Sequence, residues 1–375
     1  MQNREYKHIQ RQMQEVNAGC SALSWETQDK KHLWGRNLDF NRLADGSRIS
    51  YIPRGTEYYT CGNSLENNLV TSARFQSNYA CIGTGFLMVP STPVLYEGMN
   101  EKGLMGGQLY YRNFAHFDEK LRPGTKELQP PFVVFHLLAQ CSNVQEVVET
   151  IRNKVTLLAV PMFGTVPTLH WSFSDRTGEC VVIEPDKDGI SIYRNTIGVM
   201  TNSPSYSWHR LNLLNYVGIR DLDYDTLHLE DDQIQQCFSG SGAQGLPGDW
   251  SSPSRFVRLA FLKKFCEKGT TEEEGIANMF HLFQSAAFPL GMVRVTEQGH
   301  ITQYDTDVVP YDYTIYTSVM CAESLRFYWT SYENQQIQYV DLNDLSKMET
   351  CCQFELGRKP NFKRLTKDDA ITSIS

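Results

Sequence analysis

The stretch "CSALSWETQDKKHLWGRNLDF", residues 20–40, predicts two strands joined by a turn. "CSALSWET" alternates apolar and polar side chains, which is the period of a strand with one buried face. "QDK" follows as a polar turn, and "KKHLWGRNLDF" then continues the strand pattern. The chain therefore predicts an antiparallel pair whose first strand begins at a cysteine, Cys20, directly after Gly19.

Strand patterns come in three blocks along the chain. The first block runs from Ser21 to about residue 110, and the second covers residues 167–204 with the hairpin signal "DKDG" inside it. The third block covers residues 311–342. Since consecutive strands within a block are joined by short turns, each block predicts antiparallel pairing.

Helical patterns come in two pairs between these blocks, over residues 130–154 and 253–287. Pro130 and Pro131 suit the start of the first pair, and Ser142 can cap its second helix. Strands in blocks and helices in pairs favour an α+β arrangement, with helices layered on antiparallel sheets, over a βαβ repeat. Because no linker or low-complexity segment interrupts the chain after Cys20, we expect one domain over residues 20–375.

Composition excludes several classes of partner. The chain has 375 residues, 41% of them hydrophobic and 21% charged, with a formal net charge of -8. A mildly acidic chain without a Lys/Arg block is not expected to bind nucleic acid or an anionic membrane. No apolar run approaches the roughly 18–20 residues of a membrane span. The ten cysteines include no CxxC pair, so we expect reduced cysteines in a cytoplasmic protein.

Some motifs are discounted on their context. "GSGAQG", residues 240–245, matches GxGxxG, but the turn "LPGDW" follows it instead of a helix, so we interpret it as a glycine-rich loop. GxSxG, HExxH and GxxxxGK[ST] do not occur. His170 and His209 are interpreted as structural histidines with hydrogen-bond partners. A zinc site would need clustered ligands, and the sequence has none.

Cys20 is the candidate nucleophile. A cysteine hydrolase needs a base to make the thiolate, and the sequence has no obvious histidine for that role. The α-amino group of the nucleophile's own residue is another available base, with an ordinary pKa of about 7.7–8.0. This works only if Cys20 becomes the first residue, so residues 1–19 are interpreted as a propeptide cleaved after Gly19.

Arg36 and Asp39, in "GRNLDF", fall near the end of the strand predicted to pair with the first. Arg36 could lower the pKa of the thiol through its positive charge. Asp39 could hold the new ammonium group. The same three residues are equally compatible with a buried structural cysteine and a surface Arg/Asp pair, and this stretch alone does not separate the two interpretations.

The stretch from Cys20 resembles the mature start of the choloylglycine hydrolase family, N-terminal-nucleophile (Ntn) hydrolases that include conjugated bile salt hydrolases and penicillin V acylases. The resemblance extends essentially to the C-terminus and recurs in order in five further blocks: "YEGMNEKGLMGGQLYY", "HWSFSDRTGECVVIEPDKDGI", "IGVMTNSPSYSWHRLNLLNYVG", "GLPGDWSSPSRFVRLAFLKK" and "YTIYTSVMCAESLRFYWTSYENQQI". It implies a four-layer αββα sandwich, two antiparallel sheets between helical layers. It implies no metal and no cofactor.

The resemblance also implies roles for six residues. Cys20 matches the family's nucleophile, with Arg36 and Asp39 beside it. Asn202 in "TNSP" matches the asparagine that donates its side chain to the oxyanion, and Tyr110 falls where a backbone N–H completes the oxyanion hole. The second arginine of the site matches Arg255 in "PSRF". The implied reaction is acyl transfer from a linear amide to the thiol, followed by hydrolysis.

Tyr110 leads us to expect penicillin V as the first substrate. Bile salt hydrolases of the family typically carry asparagine there, whereas penicillin V acylases carry tyrosine. The tyrosine ring can line a pocket for a flat aryloxy group. Alternatives are a bile salt hydrolase, an N-acyl homoserine lactone acylase, and an unprocessed protein that only binds acyl amides.

Two expectations concern the ends and the assembly of the chain. Many relatives begin Met-Cys, so residues 1–19 are either an autocatalytically removed propeptide or the result of a misassigned start. The resemblance further implies a homotetramer, and the long segment 203–250 matches the extension through which subunits of the family embrace.

Overall fold

The structure is a computed structural model, and it describes five parts of the chain: residues 18–61, 74–88, 92–162, 166–294 and 309–371. Residues 1–17 lie outside them, so all but the last two residues of the expected propeptide do as well. Among the described helices, none is both long and apolar enough to cross a membrane.

Short strands dominate the described residues, as the alternating patterns predict. Their bounds are β1 Gly19–Glu26, β2 His32–Phe40, β3 Arg48–Ile52, β4 Glu57–Tyr59, β5 Arg74–Gln76, β6 Cys81–Met88, β7 Thr92–Asn100, β8 Met105–Tyr110, β9 Lys126–Leu128, β10 Val155–Leu157, β11 Leu169–Ser174, β12 Cys180–Asp186, β13 Gly189–Tyr193, β14 Val199–Met200, β15 Leu227–Leu229, β16 Asp232–Ile234, β17 Val293–Arg294, β18 Tyr311–Cys321, β19 Arg326–Ser331, β20 Gln338–Asp341 and β21 Cys352–Phe354. The "DKDG" hairpin is confirmed, since Asp186 pairs with Gly189 across the β12–β13 turn.

Both predicted pairs of helices form. The α-helices are α1 Val133–Gln140, α2 Val144–Glu149, α3 Tyr206–Asn212, α4 Ser252–Phe265 and α5 Glu272–Ala286. The predicted cap of α2 is wrong by one residue. The side chain of Asn143, not Ser142, accepts the hydrogen bond from the backbone N–H of Glu146, at 2.9 Å. Ser142 instead donates its own backbone N–H to the carboxylate of Glu146.

Two antiparallel sheets carry most of these strands. The first sheet has the order β14-β1-β2-β18-β19-β20, with β17 also on β18, and the second sheet has the order β13-β12-β11-β8-β7-β6-β3-β21. One hydrophobic cluster joins the first sheet to α4 and α5, and another joins the second sheet to α1 and α2. This layering is the αββα sandwich that the resemblance implied.

The two sheets approach closely beneath Trp34, on β2. The indole N–H of Trp34 donates to the hydroxyl of Ser172 in the second sheet, at 3.3 Å. Gly107 on β8 makes room for this contact. A Cβ there would lie 2.8 Å from the Trp34 ring and 2.7 Å from Cβ of Glu97. The side chain of Arg36, two residues further along β2, enters the same space between the sheets.

The segment 203–250 contains α3 and a small hairpin, β15–β16, whose residues are all exposed. "GSGAQG" forms a short 3-10 turn over Ser241–Ala243. The interpretation of this motif as a loop is therefore confirmed, because α4 begins only at Ser252.

Candidate active site

Cys20 is the second residue of β1 and is only 2% exposed. It lies opposite Leu38 on β2, and Gly19 lies opposite Asp39. Since side chains alternate along a strand, Cys20 and Gly19 face opposite sides of the first sheet. The thiol points between the two sheets, toward Arg36, and the peptide before it passes Asp39 on the helical side.

Arg36 holds the thiol directly. Its Nη2 donates to Sγ of Cys20 at 2.8 Å. Its Nη1 donates to the carbonyl oxygen of Gln108 at 2.8 Å and to the carboxylate of Glu97 at 3.2 Å. Burial raises the pKa of the Cys20 thiol, and the positive charge of Arg36 opposes that rise. The predicted Arg36–Cys20 contact is thus present.

Asn202 lies just after β14 and contacts the backbone of Cys20. The backbone N–H of Cys20 donates to Oδ1 of Asn202 at 2.8 Å, and Nη2 of Arg255 donates to the same oxygen at 2.8 Å. Nδ2 of Asn202 donates one hydrogen to the carbonyl oxygen of Tyr110, at 2.9 Å. Two donors on Oδ1 fix which way the amide faces, and the second hydrogen of Nδ2 is directed away from Tyr110.

Arg255 lies in the first turn of α4, whose start at Ser252 is favoured by Pro253 at its beginning. It is 2% exposed. Its Nη1 donates to the carbonyl oxygen of Cys20 and, at 2.8 Å, to the hydroxyl of Ser21. Burial lowers the pKa of Arg255, and the carboxylate of Asp39 opposes that shift. Arg255 therefore ties the start of β1 to α4.

Asp39 lies on the helical side of the first sheet and is fully buried. Its Oδ1 accepts a hydrogen bond from the hydroxyl of Thr314, while its Oδ2 is buried without a hydrogen-bond partner among the described residues. Burial raises the pKa of Asp39 to about 6, although Arg255 and the Thr314 hydroxyl oppose the rise. Burying a carboxylate oxygen without a hydrogen-bond partner costs free energy, and a cation placed beside Oδ2 would remove that cost.

Tyr110 ends β8, and its backbone faces the site. The N–H of Tyr111 donates to the carbonyl oxygen of Thr168 at 2.7 Å, on the side of β11. Because neighbouring residues of a strand direct their N–H groups to opposite edges, the N–H of Tyr110 points to the other edge. Its carbonyl oxygen meets Asn202 at that same edge.

The structure thus brings all six predicted site residues together and adds others that the sequence alone did not single out. Glu97 is fully buried against Arg36, and the Thr314 hydroxyl anchors Asp39. A lone acid in the apolar strand "PVLYEGM" was the available signal for Glu97.

His170 and His209 have the structural partners expected of them. Nε2 of His209 contacts the carbonyl oxygen of Asn202 at 2.9 Å, and its ring stacks on Phe256. Burial lowers the pKa of His209 to about 4, so the ring is neutral near neutral pH. Nδ1 of His170 contacts Glu184 at 3.3 Å. Within the described parts of the chain, no group of three or more His, Cys, Asp and Glu residues could hold a metal ion.

A buried cysteine at the start of a strand, inside an αββα sandwich, defines a hydrolase with the Ntn fold. A family model described as linear amide C–N hydrolases of the choloylglycine hydrolase family matches residues 20–353. The chain belongs to this family and is an amidohydrolase of the Ntn type.

Individual relatives agree with this assignment. The bile salt hydrolase/transferase of Clostridium perfringens (strain 13 / Type A) is 33% identical over 326 residues, 86% of this chain and 92% of that protein. A crystal structure of a variant of the conjugated bile acid hydrolase from Clostridium perfringens has a TM-score of 0.78 at 30% identity and covers 92% of this chain and 100% of that chain. The penicillin V acylase structure from Agrobacterium tumefaciens has a TM-score of 0.64 at 20% identity, over 90% of this chain and 92% of that chain, and shows the fold alone.

These comparisons confirm the predicted fold and the predicted class of enzyme. They support the choice of substrate less well. Penicillin V was expected first on the basis of Tyr110, whereas the relatives with the higher identity are named for bile salts. The bile salt alternative therefore has the better support.

Proposed function

We propose that this protein hydrolyses linear acyl amides with Cys20 as an N-terminal nucleophile, and that conjugated bile salts are the favoured substrates. The observation that carries the proposal is the geometry around one residue. Sγ of Cys20 lies 2.8 Å from Nη2 of Arg36, and its backbone nitrogen lies 2.8 Å from Oδ1 of Asn202. The nucleophilic atom and the atom that would become its base are thus both held in place.

The first step of the reaction forms a thioester. The α-amine of Cys20 takes the thiol proton, and the thiolate attacks the carbonyl carbon of the substrate amide. The carbonyl oxygen becomes an oxyanion, which the second hydrogen of Asn202 Nδ2 and the backbone N–H of Tyr110 stabilise. The C–N bond then breaks, and the α-ammonium returns its proton to the leaving amine.

The second step regenerates the enzyme. Water replaces the leaving amine and gives a proton to the α-amine as its oxygen attacks the thioester carbonyl. The C–S bond breaks, the acid leaves, and the proton returns to the thiolate of Cys20. Arg36 stabilises the thiolate at the start and the end of the cycle, because its guanidinium contacts Sγ.

The free α-amine requires removal of residues 1–19. The family match begins at residue 20, which supports Cys20 as the mature first residue. Oδ2 of Asp39 is buried beside the Gly19–Cys20 peptide and has no hydrogen-bond partner within the parts of the chain that the structure describes, which supports a place for the new ammonium. A Cys20→Ala variant should keep the full chain by intact mass spectrometry, while the parent loses residues 1–19 by autocatalysis.

Two substrate classes remain to be compared directly. Bile salts are favoured by the relative at 33% identity. Penicillin V is the second candidate because the ring of Tyr110 lies 5.8 Å from that of Phe40, an aromatic wall suited to a flat aryl group. The test is to follow release of glycine from glycocholate and of 6-aminopenicillanic acid from penicillin V by the processed protein, with Cys20→Ala as the blank.

The possible outcomes are distinct. A higher kcat/KM on glycocholate supports the bile salt assignment, and a higher kcat/KM on penicillin V reverses it. A full-length protein that binds either amide and hydrolyses neither would overturn the enzymatic proposal and favour the binding alternative.

We also propose a homotetramer. Large apolar side chains on the segment 203–250 are exposed in the single chain: Leu211, Leu214, Val217, Leu222, Tyr224, Leu227, Leu229, Ile234 and Phe238. An exposed apolar surface of this extent supports a protein interface. Light scattering should give four times the mass of one processed chain, and a monomer would contradict the proposal.

A further inference from the structure

Glu97 lies on β7, in the second sheet, and its side chain is completely buried between the sheets. We infer that Glu97 is a positioning residue for the nucleophile, acting through Arg36. The inference rests on the proposed role of Cys20. It adds a buried carboxylate from the opposite sheet to the machinery that sets the reactivity of the thiol.

Among the described residues, three side chains donate hydrogen bonds to the Glu97 carboxylate. Oε2 accepts from Nη1 of Arg36 at 3.2 Å and from the hydroxyl of Tyr316 at 2.8 Å. Oε1 accepts from the hydroxyl of Ser318 at 3.2 Å. Burial raises the pKa of Glu97, while Arg36 and these hydroxyls oppose the rise. Donors on both oxygens are the arrangement that an ionised carboxylate requires.

The contacts explain how Arg36 reaches the thiol. Nη1 of Arg36 is held by Glu97 together with the carbonyl oxygens of Gln108 at 2.8 Å and Tyr96 at 3.3 Å. With one end of the planar guanidinium fixed in this way, Nη2 is directed at Sγ of Cys20. A neutral partner could supply an acceptor, but only a carboxylate also compensates the charge of a buried arginine.

Glu97 also links the two sheets, because it lies on the second sheet and its hydrogen-bond donors lie on the first. Arg36 and Ser318 lie on β2 and β18 of the first sheet, opposite each other in register, and Tyr316 is two residues before Ser318. The charged or titratable groups around the thiol are therefore Arg36 and Asp39 from β2, Arg255 from α4 and, through Arg36, Glu97 from β7. Of these, Glu97 alone is contributed by the second sheet.

The test measures the reactivity of Cys20 without requiring catalysis. Full-length protein is expressed, its processing is checked by intact mass, and alkylation of Cys20 by iodoacetamide is followed by peptide mass spectrometry between pH 5 and 10. Glu97→Ala removes one of the three acceptors of Arg36 Nη1 and opens space beside the guanidinium, so Nη2 is directed less well at Sγ of Cys20. The apparent pKa of the thiol should then rise by about one unit, roughly a tenfold loss of thiolate at neutral pH. Glu97→Gln keeps the shape and removes the charge. The positive charge of Arg36 is then less compensated and acts more strongly on the thiolate, so the pKa of the Cys20 thiol should fall.

The control is a mutant cycle with Arg36→Met. If Glu97 acts through Arg36, neither substitution at position 97 should move the profile in the Arg36→Met background. Unchanged profiles in the Arg36-containing protein, or equal shifts in both backgrounds, would overturn the inference. Where Glu97→Ala does not fold, Glu97→Gln still tests the charge and Glu97→Asp tests rescue by a carboxylate. Failure of hydrolysis with the predicted alkylation shifts would count against the proposed function alone.

Discussion

The backbone N–H of Cys20 donates to Oδ1 of Asn202 at 2.8 Å, although 182 residues separate the two in the chain. The contact is made while Gly19 still precedes Cys20 in β1. The nitrogen proposed as the base is therefore positioned by folding and not by cleavage. The amide that positions it also supplies Nδ2, the proposed oxyanion donor, so a single side chain couples the base to the oxyanion hole.

Substitution of Asn202 should separate its two roles. Asn202→Asp keeps an oxygen acceptor for the N–H of Cys20 and for Arg255 but loses the Nδ2 donor. We expect processing to be largely kept, as measured by intact mass, and kcat to fall by about 10²–10³-fold, the usual effect of removing one oxyanion-hole donor. Asn202→Ala should impair both processing and turnover. Parent-like kcat in processed Asn202→Asp would remove Asn202 from the oxyanion hole.

Gly19 should be required for processing because of Phe288. A Cβ at residue 19 would lie 2.6 Å from the Phe288 ring and 3.1 Å from Cβ of Asp39. Overpacking of this kind costs about 1–3 kcal/mol. The clash should move the scissile peptide away from Sγ of Cys20 and raise the barrier to cleavage by a similar energy. Gly19→Ala should therefore be cleaved roughly tenfold or more slowly than the parent, as measured by intact mass over time.

The matched control for Gly19→Ala removes the obstacle. Phe288→Ala alone reports what the loss of the ring does, including its contact under Arg255 at 5.1 Å. Gly19→Ala combined with Phe288→Ala should process at the rate of Phe288→Ala alone. Equal rates for Gly19→Ala and the parent would show that the contact with Phe288 does not govern cleavage.

Local structure could be predicted well from the sequence. The second helical pair was expected over 253–287, and α4 and α5 span Ser252–Phe265 and Glu272–Ala286. Proline at a helix start, acids in a first turn and a 3.6-residue period all act within a few residues, so sequence alone reveals them. The pairing of β1 with β2 was predictable for the same reason, since one short hairpin joins them, whereas the stretch alone left open whether Arg36 meets Cys20 or solvent.

Long-range contacts of the site could not be predicted from periodicity. Arg255 meets the carbonyl oxygen of Cys20 across 235 residues, and it was identified only through the family resemblance. Glu97 was missed because its local signal, a lone acid in an apolar strand, shows that the acid is buried but not which distant residue it pairs with. The cap of α2 was misassigned because Ser142 and Asn143 are both good caps, and the path of the backbone decides between them.

Tyr110 should influence the choice of acyl group. Its ring pairs with Phe40 at 5.8 Å, and the guanidinium of Arg42 lies 5.3 Å from the Phe40 ring. Aromatic pairs contribute about 0.5–1.5 kcal/mol beyond burial, or roughly 2- to 13-fold in a rate ratio. Tyr110→Asn should lower kcat/KM for penicillin V relative to glycocholate by such a factor. Tyr110→Phe keeps the ring and should leave the ratio unchanged, and a ratio that is equal in all three proteins would contradict the assignment.

The unprocessed protein should lose stability as the pH rises, because of Asp312. This carboxyl on β18 is 4% exposed, and its Oδ1 has no hydrogen-bond partner among the described residues. Burial, with a further contribution from Asp39, raises the pKa of Asp312 to about 8. The unfolded state loses this proton at about pH 4, whereas the folded state keeps it up to about pH 8. Between these values the folded state binds more protons, so the free energy of unfolding falls as the pH rises.

The useful window is pH 6.5 to 8. Below it, His136 and His209 act in the opposite direction, since burial lowers the pKa of each to about 4. Toward pH 8, Lys263 acts weakly in the opposite direction, because burial lowers its pKa to about 8. At about 1.4 kcal/mol per pH unit, Asp312 should lower the free energy of unfolding across this window by on the order of 1–2 kcal/mol.

Urea unfolding of Cys20→Ala at pH 6.5 and 8.0 measures this loss in a chain that cannot process itself. Cys20→Ala combined with Asp312→Asn has no carboxyl to ionise at position 312, so its unfolding midpoint should change little between the two pH values. A midpoint that falls equally in both proteins would place the effect at another group. A midpoint that falls only when Asp312 is present would show that the folded, unprocessed protein holds this carboxyl in its protonated form near neutral pH, as its burial beside Asp39 predicts.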